Sequence, residues 1–233
     1  MSMAPPHTAM VLAAGFGTRM GELTANTPKP LLPVRGRPLI DHVLERCVEG
    51  GAARAVVNLH YLGDQIRDHL ADRQKPRIEF SEETEILETG GGLAKAAPLL
   101  GDDPVYTINS DAIWTGAMPL PQLAEAWDAD RMDALLLLVR RENALGYTRA
   151  GDFFADNGVL RRRGDAPVAP FVYSGAQIFS PGALDGAPSG AFSLNIIWDQ
   201  MLAKGRLFGV VYEGGWVDVG TPAGLTLANE ALA

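Results

Sequence analysis

One stretch near the N-terminus constrains the fold most: an apolar run that changes abruptly into a glycine-rich loop. Residues 8–20 read TAMVLAAGFGTRM, and a continuous apolar run of this length is typical of a strand that is buried on both faces. Gly15 and Gly17 lack a Cβ, so the backbone there can approach an anion closely. Thr18 offers a hydroxyl donor, and Arg19 offers a planar cation suited to phosphate oxygens. The pattern predicts a strand that leads into a phosphate-binding loop.

Two common phosphate loops do not fit this stretch. The Walker loop needs a lysine directly after its last glycine, and here Thr18 follows Gly17. The dinucleotide-binding loop needs a glycine or alanine where Met20 stands. It also expects an acidic residue at the end of the second strand, where Asn58 stands. A dinucleotide-dependent oxidoreductase is therefore disfavoured.

Strand and helix patterns alternate after this loop. Helical spacing predicts helices over residues 38–49, 62–71 and 120–129, and strand patterns cover residues 52–59, 77–81, 104–111, 133–140, 171–179 and 207–212. Alternation in this rhythm predicts parallel pairing with right-handed crossovers. We therefore expect an α/β fold with a mostly parallel central sheet and helices on both faces. Since no linker divides the 233 residues, a single domain over residues 1–233 is expected.

The sequence changes character from Gly146 onward. Asn157 and Gly158 stand between two strand-like runs, which is a strong signal for a hairpin. We predict a small antiparallel lobe in this part of the chain.

A second glycine-rich loop follows the third predicted strand. Residues 87–92 read LETGGG, and Thr89 is a candidate N-cap for the helix that they open. Three consecutive glycines would let a flat group lie against the backbone. The alternative is a helix start that packs tightly against the rest of the chain.

Three charged residues occupy conspicuous positions. Asp111 ends the strand predicted over residues 104–111, and ligands collect beyond the carboxyl ends of parallel strands. It is a candidate Mg²⁺ ligand, because this cation takes one or two carboxylates together with phosphate oxygens, and the alternative is a turn cap. Asp218 precedes a Gly-Thr-Pro turn and either caps it or pairs with a positive group. Lys29 lies between two prolines that stiffen its backbone, and it is either presented to a ligand or solvated.

These separate stretches together resemble one enzyme family. The stretches are LAAGFGTRM (residues 12–20), TPKPLLPV (27–34), GRPLI (36–40), LETGGG (87–92) and GWVDVGT (215–221). They are similar to sugar-1-phosphate nucleotidylyltransferases, which make a nucleotide sugar and pyrophosphate from a nucleoside triphosphate and a sugar 1-phosphate. The resemblance implies a Rossmann-like nucleotidyltransferase fold. It also implies a nucleotide half over about residues 8–140 and a sugar-binding lobe over about residues 141–221.

The resemblance also implies roles for individual residues. Arg19, Lys29 and Asp111 would be catalytic, and Mg²⁺ would be the cofactor, held by Asp111 and Asp218. Nucleotide contacts would come from Leu12, Ala13, Ala14, Gly15, Gly17, Thr18, Glu88, Thr89, Gly90 and Gly91. Sugar contacts would come from Asn109, Gly151, Asp152, Ser174, Gly175 and Asn195. The basic run Arg161–Arg163 either touches the sugar phosphate or forms a solvated face.

Within this family the chain looks most like the compact bacterial members that use UTP and N-acetylmuramate 1-phosphate in cell-wall recycling. The runner-up substrates are mannose or heptose 1-phosphate with GTP, and glucose 1-phosphate with dTTP or UTP. An alternative of another class is a non-catalytic nucleotide-sugar-binding regulator. It would be favoured by the loss of Arg19, Lys29, Asp111 or Asp218, and all four are present.

Charge and composition limit the other partners. A formal net charge of −8 argues against a nucleic-acid surface, which needs a basic face. Cys47 is the only cysteine and stands on a predicted helix face, so we expect a buried structural thiol and no intramolecular disulfide. Residues 1–7 have neither a basic start nor a long apolar run, so no signal peptide or membrane segment is expected. The expected protein is cytoplasmic, and a monomer or small homo-oligomer.

Overall fold

A nine-stranded sheet lies at the centre of the part of the chain that the computed structural model describes, residues 4–233. Residues 1–3 lie outside the described part; they belong to the N-terminal segment in which no signal peptide is expected. The strands are β1 (Thr8–Leu12), β2 (Pro33–Val34), β3 (Arg37–Pro38), β4 (Arg54–Leu59), β5 (Arg77–Glu82), β6 (Val105–Asn109), β7 (Ala112–Thr115), β8 (Ala134–Arg140), β9 (Ala144–Leu145), β10 (Phe153–Asp156), β11 (Val159–Arg162), β12 (Phe171–Phe179), β13 (Leu207–Tyr212) and β14 (Gly215–Asp218). The helices are α1 (Leu39–Glu49), α2 (Gly63–Leu70), α3 (Glu88–Leu100), α4 (Pro119–Ala126), α5 (Asn195–Ala203) and α6 (Pro222–Ala231). None of these helices has the length and apolar character that a membrane span needs.

The large sheet is parallel on one side and mixed on the other. Its strand order is β10-β11-β13-β8-β12-β6-β1-β4-β5. The four strands β6, β1, β4 and β5 pair in parallel, as predicted. On the other side β12 runs antiparallel to both β6 and β8, and only β8 and β13 are parallel. The prediction of a mostly parallel sheet is wrong for this side. No α-helix lies between β8 and β12. Parallel pairing needs a crossover connection, usually a helix, that returns the chain to the end of the sheet where the first strand began.

The hairpin between β10 and β11 is where the sequence predicts it. Asn157 and Gly158 join the two strands and have φ angles of 49° and 82°, as a two-residue Asn-Gly turn needs. The hairpin prediction is therefore confirmed. However, β11 pairs with β13 and β10 pairs with β12, so the hairpin extends the main sheet and does not form a lobe of its own.

Apolar side chains of the central strands alternate between two cores, one on each face of the sheet. Ala9 and Val11 of β1 face a core that includes Cys47, and this core is covered by α1, α2 and α4. Met10 faces the opposite core, where it packs with Leu93 and other residues of α3 and α5. Both faces of the large sheet are therefore covered by helices, as the predicted α/β fold requires.

A small sheet of order β7-β14-β9 stands beside the large one. In its antiparallel pairing Asp218 lies opposite Ala112, the residue after Asp111. A third apolar cluster, which includes Ile113, Val217 and residues of α6, packs beneath this pairing. The small sheet thereby brings the two aspartates named in the sequence analysis to neighbouring positions.

Other differences from the predicted elements are small. β1 ends at Leu12, so the two alanines that follow it belong to the loop. α4 ends at Ala126, three residues before the predicted end. β7 was not predicted, and only a two-residue turn, Ser110 and Asp111, separates it from β6.

Cys47 provides a test of the packing beneath α1. Its side chain is 0% exposed, and burial raises the pKa of the thiol to about 12. Because a raised pKa suppresses the reactive thiolate, we expect native protein to give no reaction with a disulfide reagent between about pH 7 and pH 9. Protein unfolded in guanidinium chloride should react with one equivalent of the reagent, at its single cysteine. A native-state reaction rate that rises through about pH 8.5, as for an exposed thiol, would contradict the packing.

Candidate functional site

A cleft lies beyond the carboxyl ends of β1, β4 and β6, and it divides into two adjoining cavities. The first cavity has a volume of about 320 Å³ and the second of about 400 Å³. Their lining is partly common, because Leu12, Arg19, Thr89, Asn109 and Asp111 line both. The two cavities therefore meet at a junction that contains a cation and a carboxylate.

The loop after β1 forms one wall of the first cavity. Eight of the ten predicted nucleotide-binding residues line this cavity: Leu12, Ala13, Ala14, Gly15, Gly17, Thr18, Glu88 and Thr89. The two exceptions are Gly90 and Gly91. The glycine-rich loop and the start of α3 thus face one another across a single space.

Gly90 and Gly91 are packed against the chain itself. Both lie in the first turn of α3, and their N–H groups donate to the carbonyl of Phe192 at 2.9 and 3.1 Å. A Cβ on Gly90 would lie 2.4 Å from the Phe192 ring, so only glycine permits this approach. The amides at the start of α3 are thereby already satisfied. The tight packing that one interpretation of LETGGG predicts is therefore present at these two glycines, and nucleotide contact at Gly90 and Gly91 stays a prediction.

Thr89 does not cap α3, because the helix begins one residue before it. Its hydroxyl accepts a hydrogen bond from the N–H of Leu194 at 3.0 Å instead. Glu88, the first residue of the helix, has a φ of 59°, in the left-handed region that favours glycine. Such backbone costs on the order of 1 to 3 kcal/mol for a residue with a side chain. Backbone strain at Glu88 is therefore located in the wall of the first cavity.

A buried polar network behind the first cavity was missed by the sequence analysis. The N–H of Ala13 donates to Asn58 Oδ1 at 2.7 Å, and Asn58 Nδ2 donates to Glu83 Oε1 at 2.7 Å. Glu83 Oε2 accepts from the N–H of Leu87 at 3.1 Å. Asn58 is only 3% exposed and Glu83 only 5%, and both line the cavity. The network fixes the loops after β1 and β5 to the end of β4.

The sequence carries a usable signal for only one member of that network. Asn58 is a polar residue in an otherwise apolar strand, and a buried amide needs partners. Glu83 stands in the run Glu82-Glu83-Thr84-Glu85, where nothing local distinguishes it from its neighbours.

Lys29 and Asp111 form an ion pair at the junction, between Nζ and Oδ2. Lys29 is 8% exposed and lies at the start of a short 3-10 segment that ends at Leu31. An ammonium this buried needs an opposite charge nearby. The structure therefore brings together two of the three predicted catalytic residues.

Arg19 and Asp218 approach the same point from two sides. A Cβ on Gly220 would lie 2.7 Å from Arg19 Nη1 and 2.9 Å from Asp218 Oδ1, so the absence of a side chain at Gly220 lets the two groups converge. Arg19 has no ion-pair partner among residues 4–233, and Asp218 Oδ2 lies 3.9 Å from Arg149. Three cations, Arg19, Lys29 and Arg149, thus lie close to the two carboxylates at the junction.

The second cavity is lined by four of the six predicted sugar-binding residues: Asn109, Asp152, Ser174 and Asn195. Gly151 and Gly175 do not line it. A Cβ on Gly151 would lie 2.1 Å from the carbonyl of Ala169, and one on Gly175 would lie 3.0 Å from the Asn109 amide. These two glycines support the wall from behind.

The side chains of Asp152 and Ser174 form hydrogen bonds within the protein. Asp152 accepts from the Tyr147 hydroxyl at 3.1 Å and from the N–H of Tyr173 at 3.0 Å. Burial, followed by the nearby Asp152 carboxylate, raises the pKa of Tyr147 to about 12, so its hydroxyl stays a donor. The Ser174 hydroxyl donates to the carbonyl of Leu137 at 2.9 Å. Both side chains fix the shape of the second cavity.

Two aromatic residues of the second cavity were not predicted. Tyr173 and Trp198 meet edge to face, with ring centroids 4.9 Å apart, and both line the cavity. The indole of Trp198 donates to Gln177 Oε1 at 3.0 Å. No sequence pattern distinguishes Trp198 as a cavity residue, because its helical spacing fits an ordinary core position.

The charges at the junction suit a phosphate ester. Guanidinium and ammonium groups neutralise phosphate oxygens, and carboxylates are the ligands that Mg²⁺ prefers. Within residues 4–233, no cluster of three or more His, Cys, Asp or Glu side chains is placed to hold a metal ion. A cation at Asp111 and Asp218 would therefore need further oxygens from a ligand or from water.

Comparisons with known sequences agree with the resemblance in the motifs. The sequence profile of the nucleotidyl transferase family matches residues 8–233. The N-acetylmuramate alpha-1-phosphate uridylyltransferase of Caulobacter vibrioides is 43% identical over 241 residues, which cover 100% of this chain and 99% of the relative. The protein of the same name from Neisseria meningitidis serogroup B is 36% identical and covers 97% of each chain. The mannose-1-phosphate guanylyltransferase catalytic subunit beta of Xenopus tropicalis is 30% identical, over 92% of this chain and 61% of the relative.

Solved structures show the same fold. A UDP-glucose pyrophosphorylase complexed with UDP-glucose superposes with a TM-score of 0.77 at 18% identity, over 97% of each chain. HddC from Yersinia pseudotuberculosis, complexed with GMP-PN, superposes with a TM-score of 0.78 at 23% identity, over 97% of this chain and 100% of HddC. The profile match and the full-length relatives confirm the resemblance that the motifs predicted. The chain belongs to the nucleotidyl transferase family.

Proposed function

We propose that the protein joins a nucleoside triphosphate to a sugar 1-phosphate, with release of pyrophosphate. The observation that carries this proposal is the junction of the two cavities, where Arg19, Lys29, Asp111 and Asp218 converge. A reaction between two phosphate esters needs both to be held in line, with their negative charge neutralised. Two cavities that share a charged junction supply that arrangement.

The first cavity would take the triphosphate, and the second would take the sugar 1-phosphate. Gly15 and Gly17 would cradle the triphosphate with backbone N–H groups. Arg19 would hold the departing pyrophosphate, and Lys29 would face the phosphorus that is attacked. A sugar-phosphate oxygen is the nucleophile in this scheme, so no covalent enzyme intermediate forms.

The carboxylates at the junction fit Mg²⁺. Asp111 and Asp218 are hard oxygen ligands on adjoining parts of the small sheet, and phosphate oxygens and water would complete the six positions that Mg²⁺ requires. When bound, the cation would neutralise charge on the reacting phosphates. Lys29 would hold Asp111 in place from the protein side.

UTP and N-acetylmuramate 1-phosphate are the substrates that we favour. Two relatives with that activity in their names match almost end to end at 43% and 36% identity. The guanylyltransferase relative is less similar, and this chain spans 61% of it, so mannose 1-phosphate with GTP is the runner-up. Cytoplasmic residence and a role in cell-wall recycling belong to this proposal.

A non-catalytic nucleotide-sugar-binding regulator is the alternative from another class. It would bind ligands in the same two cavities without turnover. The residues whose loss would favour it, Arg19, Lys29, Asp111 and Asp218, are all present and converge at the junction.

Variants at the junction test the catalytic assignment. Lys29→Met and Asp111→Asn should each lower kcat on the order of 10² to 10³-fold, since each removes a preorganised charge at the reacting phosphate. The readout is pyrophosphate release, with thermal unfolding to show that each variant folds. Lys95→Met is the matched control, because Lys95 is exposed on α3 away from both cavities. Near-normal turnover in a folded Lys29→Met protein would refute the role of Lys29.

A substrate matrix tests the activity itself. Pyrophosphate release is measured for UTP, dTTP, GTP, CTP and ATP, each with N-acetylmuramate, N-acetylglucosamine, glucose and mannose 1-phosphates. We expect the highest kcat/KM for UTP with N-acetylmuramate 1-phosphate, and loss of turnover when a chelator removes Mg²⁺. Silence across every pair, with binding retained, would favour the regulator.

A further inference from the structure

The three arginines of the run Arg161–Arg163 point in different directions. Arg161 lies over the Phe154 ring at 4.3 Å, outside both cavities. Arg163 donates to the carbonyls of Gly151 and Ala166 at 3.2 and 2.7 Å. Of the three, Arg162 alone lines the second cavity. Successive residues of a strand face opposite sides of a sheet, which separates Arg162 from Arg161.

The guanidinium of Arg162 is held in one orientation. Its Nε donates to Asp199 Oδ1 at 2.9 Å, and its Nη2 donates to the carbonyl of Asn195 at 3.2 Å. The Phe153 ring lies beneath it, with the centroid 5.1 Å from Cζ. Its Nη1 has no hydrogen-bond partner among residues 4–233. A fixed guanidinium with an open amino group is preorganised to bind an oxyanion.

Asp199 approaches Arg162 from outside the second cavity, with its Oδ1 2.9 Å from Nε and 2.8 Å from Nη2. The Asp199 side chain is 63% exposed and does not line the second cavity. Solvent therefore screens this ion pair. The carboxylate of Asp152, which does line the cavity, is occupied by Tyr147 and Tyr173. A ligand at Arg162 would meet an open donor, and the nearby Asp152 oxygens already accept hydrogen bonds from the protein.

Arg162 also lies away from the reacting phosphates. Its strand is linked to β6, the strand before Asp111, through β10 and β12. Three strand spacings separate them, on the order of 10 to 15 Å. The junction already has Arg19, Lys29 and Arg149 for a phosphate. With the 1-phosphate at the junction, as the proposed function has it, Arg162 would face a part of the sugar remote from that phosphate.

We propose that Arg162 is a specificity-determining residue that binds an acidic substituent on the sugar. This inference rests on the proposed function and names the substrate class more narrowly: a sugar 1-phosphate that carries a second negative charge. N-acetylmuramate has a lactyl ether with a carboxylate at C3, where N-acetylglucosamine has a hydroxyl. The two sugars are otherwise the same, so their 1-phosphates differ only in the group that Arg162 would bind.

The experiment compares the two sugar 1-phosphates in Arg162→Met and wild-type protein. We expect kcat/KM for N-acetylmuramate 1-phosphate to fall about 10- to 100-fold, since a hydrogen-bonded charge pair is lost. The loss should appear in KM, and N-acetylglucosamine 1-phosphate should change by no more than about threefold. Arg162→Lys should restore part of the preference, because the charge is kept without the fork. Arg161→Met is the matched control and should behave as wild type.

Equal losses on both sugars would overturn the proposal, because Arg162 would then act on the phosphate or on folding. An unchanged preference in Arg162→Met would overturn it as well. Calorimetry, which measures the binding of the two sugar 1-phosphates without turnover, tests the Arg162 assignment separately from the proposed reaction. If wild type binds the acidic sugar more tightly, and Arg162→Met does not, the assignment stands even without turnover, and only the proposed reaction fails. If wild type binds both sugars equally, the assignment fails whatever the turnover.

Discussion

The pairing of β7 with β14 is the contact on which the site depends. It places Asp218 opposite Ala112 and hence beside Asp111, although the two aspartates are far apart in the sequence. Apolar residues on the other face of these strands, Ile113 and Val217, anchor the pairing in the cluster with α6. Each fully buried side chain of this kind contributes about 1.5 to 3 kcal/mol. The position of the carboxylates is thus set by hydrophobic packing, and their own charges oppose it.

That opposition is balanced by Lys29 and Arg19. Two carboxylates near one another repel, and a buried ammonium without a counter-charge is costly. Lys29 pairs with Asp111, and Arg19 approaches Asp218 across Gly220. The energetic cost of each charged side chain is therefore offset by the opposite charges beside it. Arg149, 3.9 Å from Asp218 Oδ2, adds a third cation beside these two carboxylates.

Local chemistry made part of this structure predictable. The loop after β1, the Asn157-Gly158 turn and the position of Asp111 at a strand end all follow from residues that are neighbours in the sequence. The insertion of β12 between β6 and β8 does not, because it depends on pairing between distant strands. For the same reason the sequence could not show that Glu83, and neither Glu82 nor Glu85, meets Asn58. A glycine run looks alike whether its space is filled by a ligand or by Phe192.

The contact of Phe192 with α3 links the walls of the two cavities. The carbonyl of Phe192 caps the helix whose first residues line the first cavity. Leu194, which is bonded to Thr89, lines the second. A change in the segment around Phe192 that reshapes the second cavity will therefore also move a wall of the first. With the nucleotide and the sugar assigned to these cavities as we propose, a chimera that exchanges this segment should also exchange the first turn of α3.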